Sequence, residues 1–234
     1  MDQTMYIVSS LEKVFSDTRP LPYTGKFSML RKDRLSFQAA FFAKPVGYEP
    51  TYVSRWSTVK VDSPLAKWIR LYHVKEMPSR LPAFAGEDGN YLRTEPGLFP
   101  DLLEPATDVK FRVSVNRWNA IWVEIASDEE TPAGEFPITL PLTMGEVREL
   151  TVSTSVEVIP AALPEQTLIH TEWFHSDCVA DFYHVDVFSE EHWALLEGQI
   201  ACAAEYGINA LLTPVFTQPL DKAVSGRRCS WWMW

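Results

Sequence analysis

From Leu35 to about Val158 the apolar residues tend to fall on every second position; beyond the prolines of "IPAALPEQT", residues 159 to 167, they no longer do. Period two belongs to strands with one buried face, and the period that follows belongs to a helix between two short apolar runs. The segments "LSFQAAFF", "TYVSRWSTVKV", "KWIRLYHV", "VKFRVSV", "AIWVEIA", "FPITLPL" and "ELTVSTSVEVI" read as strands, separated by Pro, Gly, Asp or Asn. In "KFRVSV", Phe111, Val113 and Val115 share one face and Lys110, Arg112 and Ser114 the other. "SDEETPAGEF", residues 127 to 136, reads as a turn in which Pro132 presets φ and Gly134 permits a positive one. The first part of the chain is therefore expected to be an antiparallel β-sandwich, residues 1–160. Residues 77 to 105, rich in Pro and Gly, are expected to form a long loop.

After the boundary, "TLIHTEWF" is a short strand of the buried type and "SEEHWALLEGQIACAAEYGIN" an amphipathic helix. Ser189 suits the N-cap, Glu190 and Glu191 the first turn, and Gly207 the position after the C-cap. Trp193, Leu196, Ile200 and Ala203 form one apolar face, expected to lie in the core. "ALLTPVF" is a second short strand. Strand, helix, strand is a βαβ unit, which builds parallel sheet and cannot by itself hide both of its apolar surfaces. Residues 161–224 are accordingly expected to be an incomplete domain.

Lys and Arg number 21 against 31 Asp and Glu, a formal charge of −10 that works against nucleic-acid binding. No run approaches the roughly 20 apolar residues that cross a bilayer, and "MDQTMYIVSS" lacks the basic start of a secretory signal, so a cytoplasmic protein without membrane contact is expected. Cys178, Cys202 and Cys229 fit no disulfide framework or zinc knuckle and are expected to pack as small hydrophobes. Trp118 and Trp122 are expected in packing rather than on a sugar platform.

The run "HTEWFHSDCVADFYHVDVFSEEHW", followed by "AAEYGINALLTPVFTQPLD", resembles a bacterial family of unknown function related to glycoside hydrolase family 123, the β-N-acetylgalactosaminidase group. "SSLEKVF", "RLSFQAAF", "PGLFPDLLEP" and "IPAALPEQTL" resemble the β-sandwich that precedes the barrel in those proteins. The resemblance implies a mainly β chain made of a sandwich and the first βαβ unit of a truncated (β/α)8 barrel. It implies a hydrolase-like protein of carbohydrate metabolism, with a carbohydrate as partner and no cofactor or metal. In that family an adjacent Asp-Glu pair late in the barrel carries substrate-assisted chemistry. Asp128-Glu129 and Glu87-Asp88 stand elsewhere, so no catalytic residue is carried over and the chain alone is expected to be inactive. The alternative is a stand-alone carbohydrate-binding or interaction module.

In a parallel barrel, ligands sit at the C-terminal ends of the strands. The residues there, in a stretch 174 to 188 too long for an ordinary βα loop, point to a sugar subsite: Trp173, His175, Asp177 and Tyr183, with Thr217 after the second strand. His170 and Glu172 are expected in a supporting network, and His170, Glu172, His175 and Asp177 match no metal motif. The ending "SGRRCSWWMW" exposes a cluster of indoles without evident reason. "WWMW" is encoded by TGG TGG ATG TGG, which in a neighbouring frame reads Val-Asp-Val. Residues 225–234 are thus read as an out-of-frame tail, with a docking tail as the other reading.

Overall fold

The computed structural model describes residues 5–44, 54–79, 91–145 and 148–213. The chain divides into two compact units, Met1–Leu163 and Pro164–Trp234.

Among its described residues the first unit holds ten strands: β1 (Met5–Ser9), β2 (Phe27–Arg31), β3 (Arg34–Phe42), β4 (Ser54–Val59), β5 (Ile69–Ser79), β6 (Gly97–Pro105), β7 (Phe111–Ser114), β8 (Trp118–Ala126), β9 (Gly134–Met144) and β10 (Arg148–Ala162). They form two five-stranded sheets, in the orders β1-β3-β8-β5-β6 and β2-β10-β9-β4-β7. The mainly β class read from the sequence is what the chain adopts. Alternation decides which residues face inward. Phe37, Ala39 and Phe41 of β3 and Ile121, Val123 and Ile125 of β8 meet Phe111 and Val113 of β7, and Ile138, Leu140 and Leu142 of β9, in one buried cluster. Arg112 and Ser114 stay exposed between their buried neighbours.

One pairing departs from the antiparallel expectation. β10 runs parallel to β2, with Val156 opposite Phe27 and Val158 opposite Met29. The two strands are far apart in sequence, so no hairpin dictates their direction. The direction of β2 is set at its other end, where the chain leaves one sheet for the other across Lys32 and Asp33 alone. Lys32 takes φ +58°, and the Asp33 carboxylate accepts the backbone N–H groups of Leu30 (3.1 Å) and Arg34 (2.7 Å). Ser127, a residue beyond the end of β8, locks this corner. Its hydroxyl accepts the Asp33 N–H at 3.0 Å and lies 2.9 Å from the Leu30 carbonyl, and its own N–H donates to the Asp33 carbonyl.

The long loop expected over 77 to 105 is shorter in the structure. β5 extends to Ser79 and β6 begins at Gly97, and the two pair as a hairpin from Tyr72↔Pro105 to Ser79↔Gly97. Residues 80–90 lie outside the described residues. Pro100 and Pro105 misled the reading because a proline argues against a central strand; β6 is an edge strand, where proline is tolerated. The turn read over 127 to 136 is shorter, 127–133, and Gly134, at φ +137°, opens β9.

The second unit contains β11 (Thr171–Trp173), α1 (Ser176–Tyr183), α2 (Glu190–Glu205) and β12 (Ala210–Leu212). β11 and β12 pair in parallel, Thr171↔Ala210 to Trp173↔Leu212. The ends of α2 follow the sequence closely. Ser189 Oγ accepts the His192 N–H at 3.2 Å. At the other end Gly207 takes φ +85°, its N–H donating to the Ala204 carbonyl and that of Ile208 to the Ala203 carbonyl, a Schellman closure.

Candidate functional site

The site read from the sequence lies at the C-terminal ends of the parallel strands of the second unit. Its frame is a set of amide clamps. The Asn209 side chain accepts the His170 N–H (2.8 Å) and donates to the Leu168 carbonyl (2.9 Å), while Gln166 Nε2 donates to the carbonyls of Leu168 and Gly207. The ladder continues past both strand ends, with Ala210 donating to the His170 carbonyl and Phe174 to the Leu212 carbonyl. The chain that enters α1 is thereby held beside the end of β12.

Trp173 closes β11 with its indole 67% exposed, enough ring surface to stack on a flat apolar ligand face. The His175 ring stands 6.3 Å from it, centroid to centroid. His175 occupies the N-cap of α1 without capping through its side chain, which leaves the imidazole half-exposed beside the strand end. Asp177 follows in the first turn of α1, where the helix dipole favours a carboxylate. Trp173, His175 and Asp177 therefore gather at one end of α1.

Tyr183 does not join them. The stretch expected to be a loop is the helix α1, and Tyr183 is its last residue, eight positions long at about 1.5 Å per residue from the strand end. Its ring packs edge-on against Phe182 at 5.0 Å, and it is about half-exposed. Thr217 lies outside the described residues. His170 Nε2 and Glu172 Oε1 are 2.9 Å apart, both about half-exposed. They share one face of β11, and Trp173 takes the other. Among the described residues no three His, Cys, Asp or Glu side chains are gathered in a way that would hold a metal ion.

Two expectations are corrected here. Cys178 and Cys202 are exposed, not packed; both sit on helix faces that the described residues do not cover. Trp193 and Ile200 are 51% and 44% exposed, and only Leu196 of the predicted stripe is buried. A two-stranded ladder is too small to cover the apolar face of a four-turn helix. Cys229 lies outside the described residues. Trp118 and Trp122 are half-buried in the first unit, Trp118 packed against Tyr6 and Phe42.

The residue that sequence reasoning missed is His192. It is fully buried; its Nδ1 accepts the Phe188 N–H at 3.0 Å and its Nε2 is 2.9 Å from the Ser176 carbonyl. That pair of partners places a ring proton on Nε2 and leaves Nδ1 as the acceptor. His192 thus fastens the start of α1 to the start of α2. The signal was its position, three residues after the Ser189 cap and four before Leu196.

Asp128-Glu129 lies in the turn between β8 and β9, where Asp128 Oδ1 accepts from the Glu130 N–H and the Thr131 hydroxyl. Glu87-Asp88 lies outside the described residues. No adjacent carboxylate pair stands among the described residues at the strand ends.

Residues 173–233 match the family model "Glycoside hydrolase 123, catalytic domain". No curated protein matches the chain. Among solved structures, a family 123 glycoside hydrolase from Clostridium perfringens, studied for glycolipid glycan hydrolysis, aligns with a TM-score of 0.68 at 16% identity. The alignment covers 87% of this chain and 36% of that one, so the chain spans about a third of that protein's length. A weaker likeness, TM-score 0.31 at 7% identity over 69% of this chain and 51% of the other, is to the sporulation control protein Spo0M of Bacillus subtilis. Through residues 173–233, and through a fold shared over most of its length, the chain is related to glycoside hydrolase family 123.

Proposed function

We propose that the chain is the N-terminal portion of a glycoside-hydrolase-like protein acting on N-acetyl-hexosaminides, a β-sandwich followed by the first βαβ unit of a (β/α)8 barrel. The observation that carries this reading is the parallel β11/β12 pair, with helices between its strands, where the match to the family's catalytic domain begins at Trp173, the last residue of β11. In this reading Trp173 stacks on a pyranose face, and His175 and Asp177 hydrogen-bond its hydroxyls. Thr217 is a secondary member of the subsite, and Tyr183, at the far end of α1, is not. The adjacent carboxylates that would assist the acetamido group and protonate the leaving oxygen belong to later barrel strands, so the 234-residue chain binds without turning over.

The test is an assay of the chain on 4-nitrophenyl N-acetyl-β-D-galactosaminide, together with sequencing of the gene past the codon for Gly226 in all frames. No release of nitrophenol is expected from the chain, and an open frame carrying further strand-helix repeats is expected beyond it. Turnover by the chain would overturn the inactivity, and a gene with no such frame would overturn the barrel.

A further inference from the structure

The ladder between β5 and β8 runs from Ile69↔Ile125 to His73↔Ile121 and stops. Beyond that point β8 stays on β3 as far as Trp118, opposite Phe42, while β5 stays on β6 as far as Ser79, opposite Gly97. The sheet therefore forks. An irregularity between Lys75 and Glu76 accompanies the divergence, as bulges do where a strand bends away. A hollow of about 220 Å³ opens in the fork, between Val74–Glu76 on one side and Trp118–Ala120 on the other. A second, of about 840 Å³, adjoins it along Ser16 and Leu98 and is bordered by Asp17, Arg93, Phe99 and Arg117.

Three properties say what fits there. The larger hollow has the size of a small-molecule site, roughly 300 to 1,000 Å³. Its charges balance: Asp17 and Glu95 stand against Arg93 and Arg117. Arg93 is already committed, gripping both carboxylate oxygens of Asp17 at 2.9 and 2.5 Å, so it is no anchor for a free anion. Polar groups of both kinds beside the aromatic surfaces of Trp118 and Phe99 suit a ligand with hydroxyls on its rim and C–H groups on its face.

An unmet hydrogen bond lies at the root of the fork. His73 lines the smaller hollow, is 6% exposed, and its Nδ1 has no hydrogen-bond partner. The closest carboxylate oxygen, on Glu104, is 3.8 Å away, too far to serve. Buried polar atoms are rarely left so. The opposite wall is rigid: the Asn119 side chain bonds Ser114 through both its N–H and its carbonyl, and also the Arg117 carbonyl.

We propose that the fork between β5 and β8 is a binding site for a neutral sugar, with the pyranose ring in the larger hollow and a hydroxyl directed into the fork toward His73. The site lies wholly in the first unit and does not rest on the hydrolase reading. It is tested by calorimetric titration and saturation-transfer NMR of the 234-residue chain with N-acetyl-D-galactosamine, D-galactose, D-glucose and, separately, inorganic phosphate. Saturable binding of at least one sugar and none of phosphate is expected. Arg117→Ala, at an exposed position, and His73→Phe, which keeps the ring stacking, should each weaken it about tenfold. Cys202→Ser, at an exposed position of the second unit outside the proposed subsite, should leave it unchanged. Sugar binding lost in Trp173→Ala but intact in Arg117→Ala and His73→Phe would overturn the proposal, as would binding of phosphate alone or of nothing.

Discussion

Phe188 holds a left-handed backbone, φ +64°, and donates its N–H to the Nδ1 of His192 four residues on, at 3.0 Å. A bulky residue at positive φ costs of order 1–3 kcal/mol and persists only where its surroundings demand it. The demand here is double. The ring nitrogen takes the amide, and the Phe188 ring stacks on Trp193 at 5.8 Å, the staple position relative to the Ser189 cap. Replacing His192 by Leu should remove the acceptor of the Phe188 N–H and the donor to the Ser176 carbonyl, and cost about 1–3 kcal/mol. Hydrogen exchange reads this locally: the Phe188 amide, slow in the parent chain, should become fast in H192L, whereas amides of β8 and β9 should not change.

His73 gives the first unit a pH dependence. Burial pushes its pKa from 6.5 down to about 4, against the opposing pull of Glu104. An unfolded chain takes up this proton near pH 6.5 and the folded one only near pH 4. The stabilising contribution is thus complete above about pH 6.5 and is lost as the pH falls toward 4, by up to about 3 kcal/mol. Urea unfolding at pH 7 and at pH 4.5 should show the drop. His73→Phe, stacked on Phe111 as the imidazole is at 4.9 Å, should remove most of it.

The corner between β2 and β3 depends on one hydroxyl. Ser127→Ala deletes the acceptor of the Asp33 N–H and the donor beside the Leu30 carbonyl, and should cost about 1–3 kcal/mol in denaturant midpoint at constant slope. A change in slope instead would mean that the two sheets had come apart.

Gly207 cannot be replaced cheaply. Its φ of +85° disfavours any Cβ, and one built there would lie 3.2 Å from Gln166 Oε1, the amide that also holds the Gly207 carbonyl. Gly207→Ala should destabilise the second unit by about 1–2 kcal/mol. Thermal unfolding followed by helix signal checks it.

How much was legible depended on how local the cause was. Phe111 and Val113 betrayed their strand by alternation alone, and Ser189 and Gly207 bounded α2 by their own chemistry. β1 and β2 were not read, because five residues such as "MYIVS" or "FSMLR" carry too little pattern to stand out. α1 escapes a local reading because "SDCVADFY" mixes poor helix formers and lacks a capping side chain. What holds it is His192, sixteen residues past Ser176, a cause no local window contains. The gathering of Trp173 with His175 followed from the end of β11, and the exclusion of Tyr183 followed from the helix that was missed. The parallel pairing of β10 with β2 and the fork below His73 are properties of register, which alternation does not encode.

Pro100 lies in β6, at the rim of its sheet, and Lys13 Nζ donates to its carbonyl at 3.0 Å. A proline has no N–H to offer, and here its one acceptor is occupied from outside. A foreign strand approaching this rim would find no N–H at Pro100 and its carbonyl already held by an ammonium. Polymerisation by strand addition is thus obstructed at that point by a residue that also packs inward.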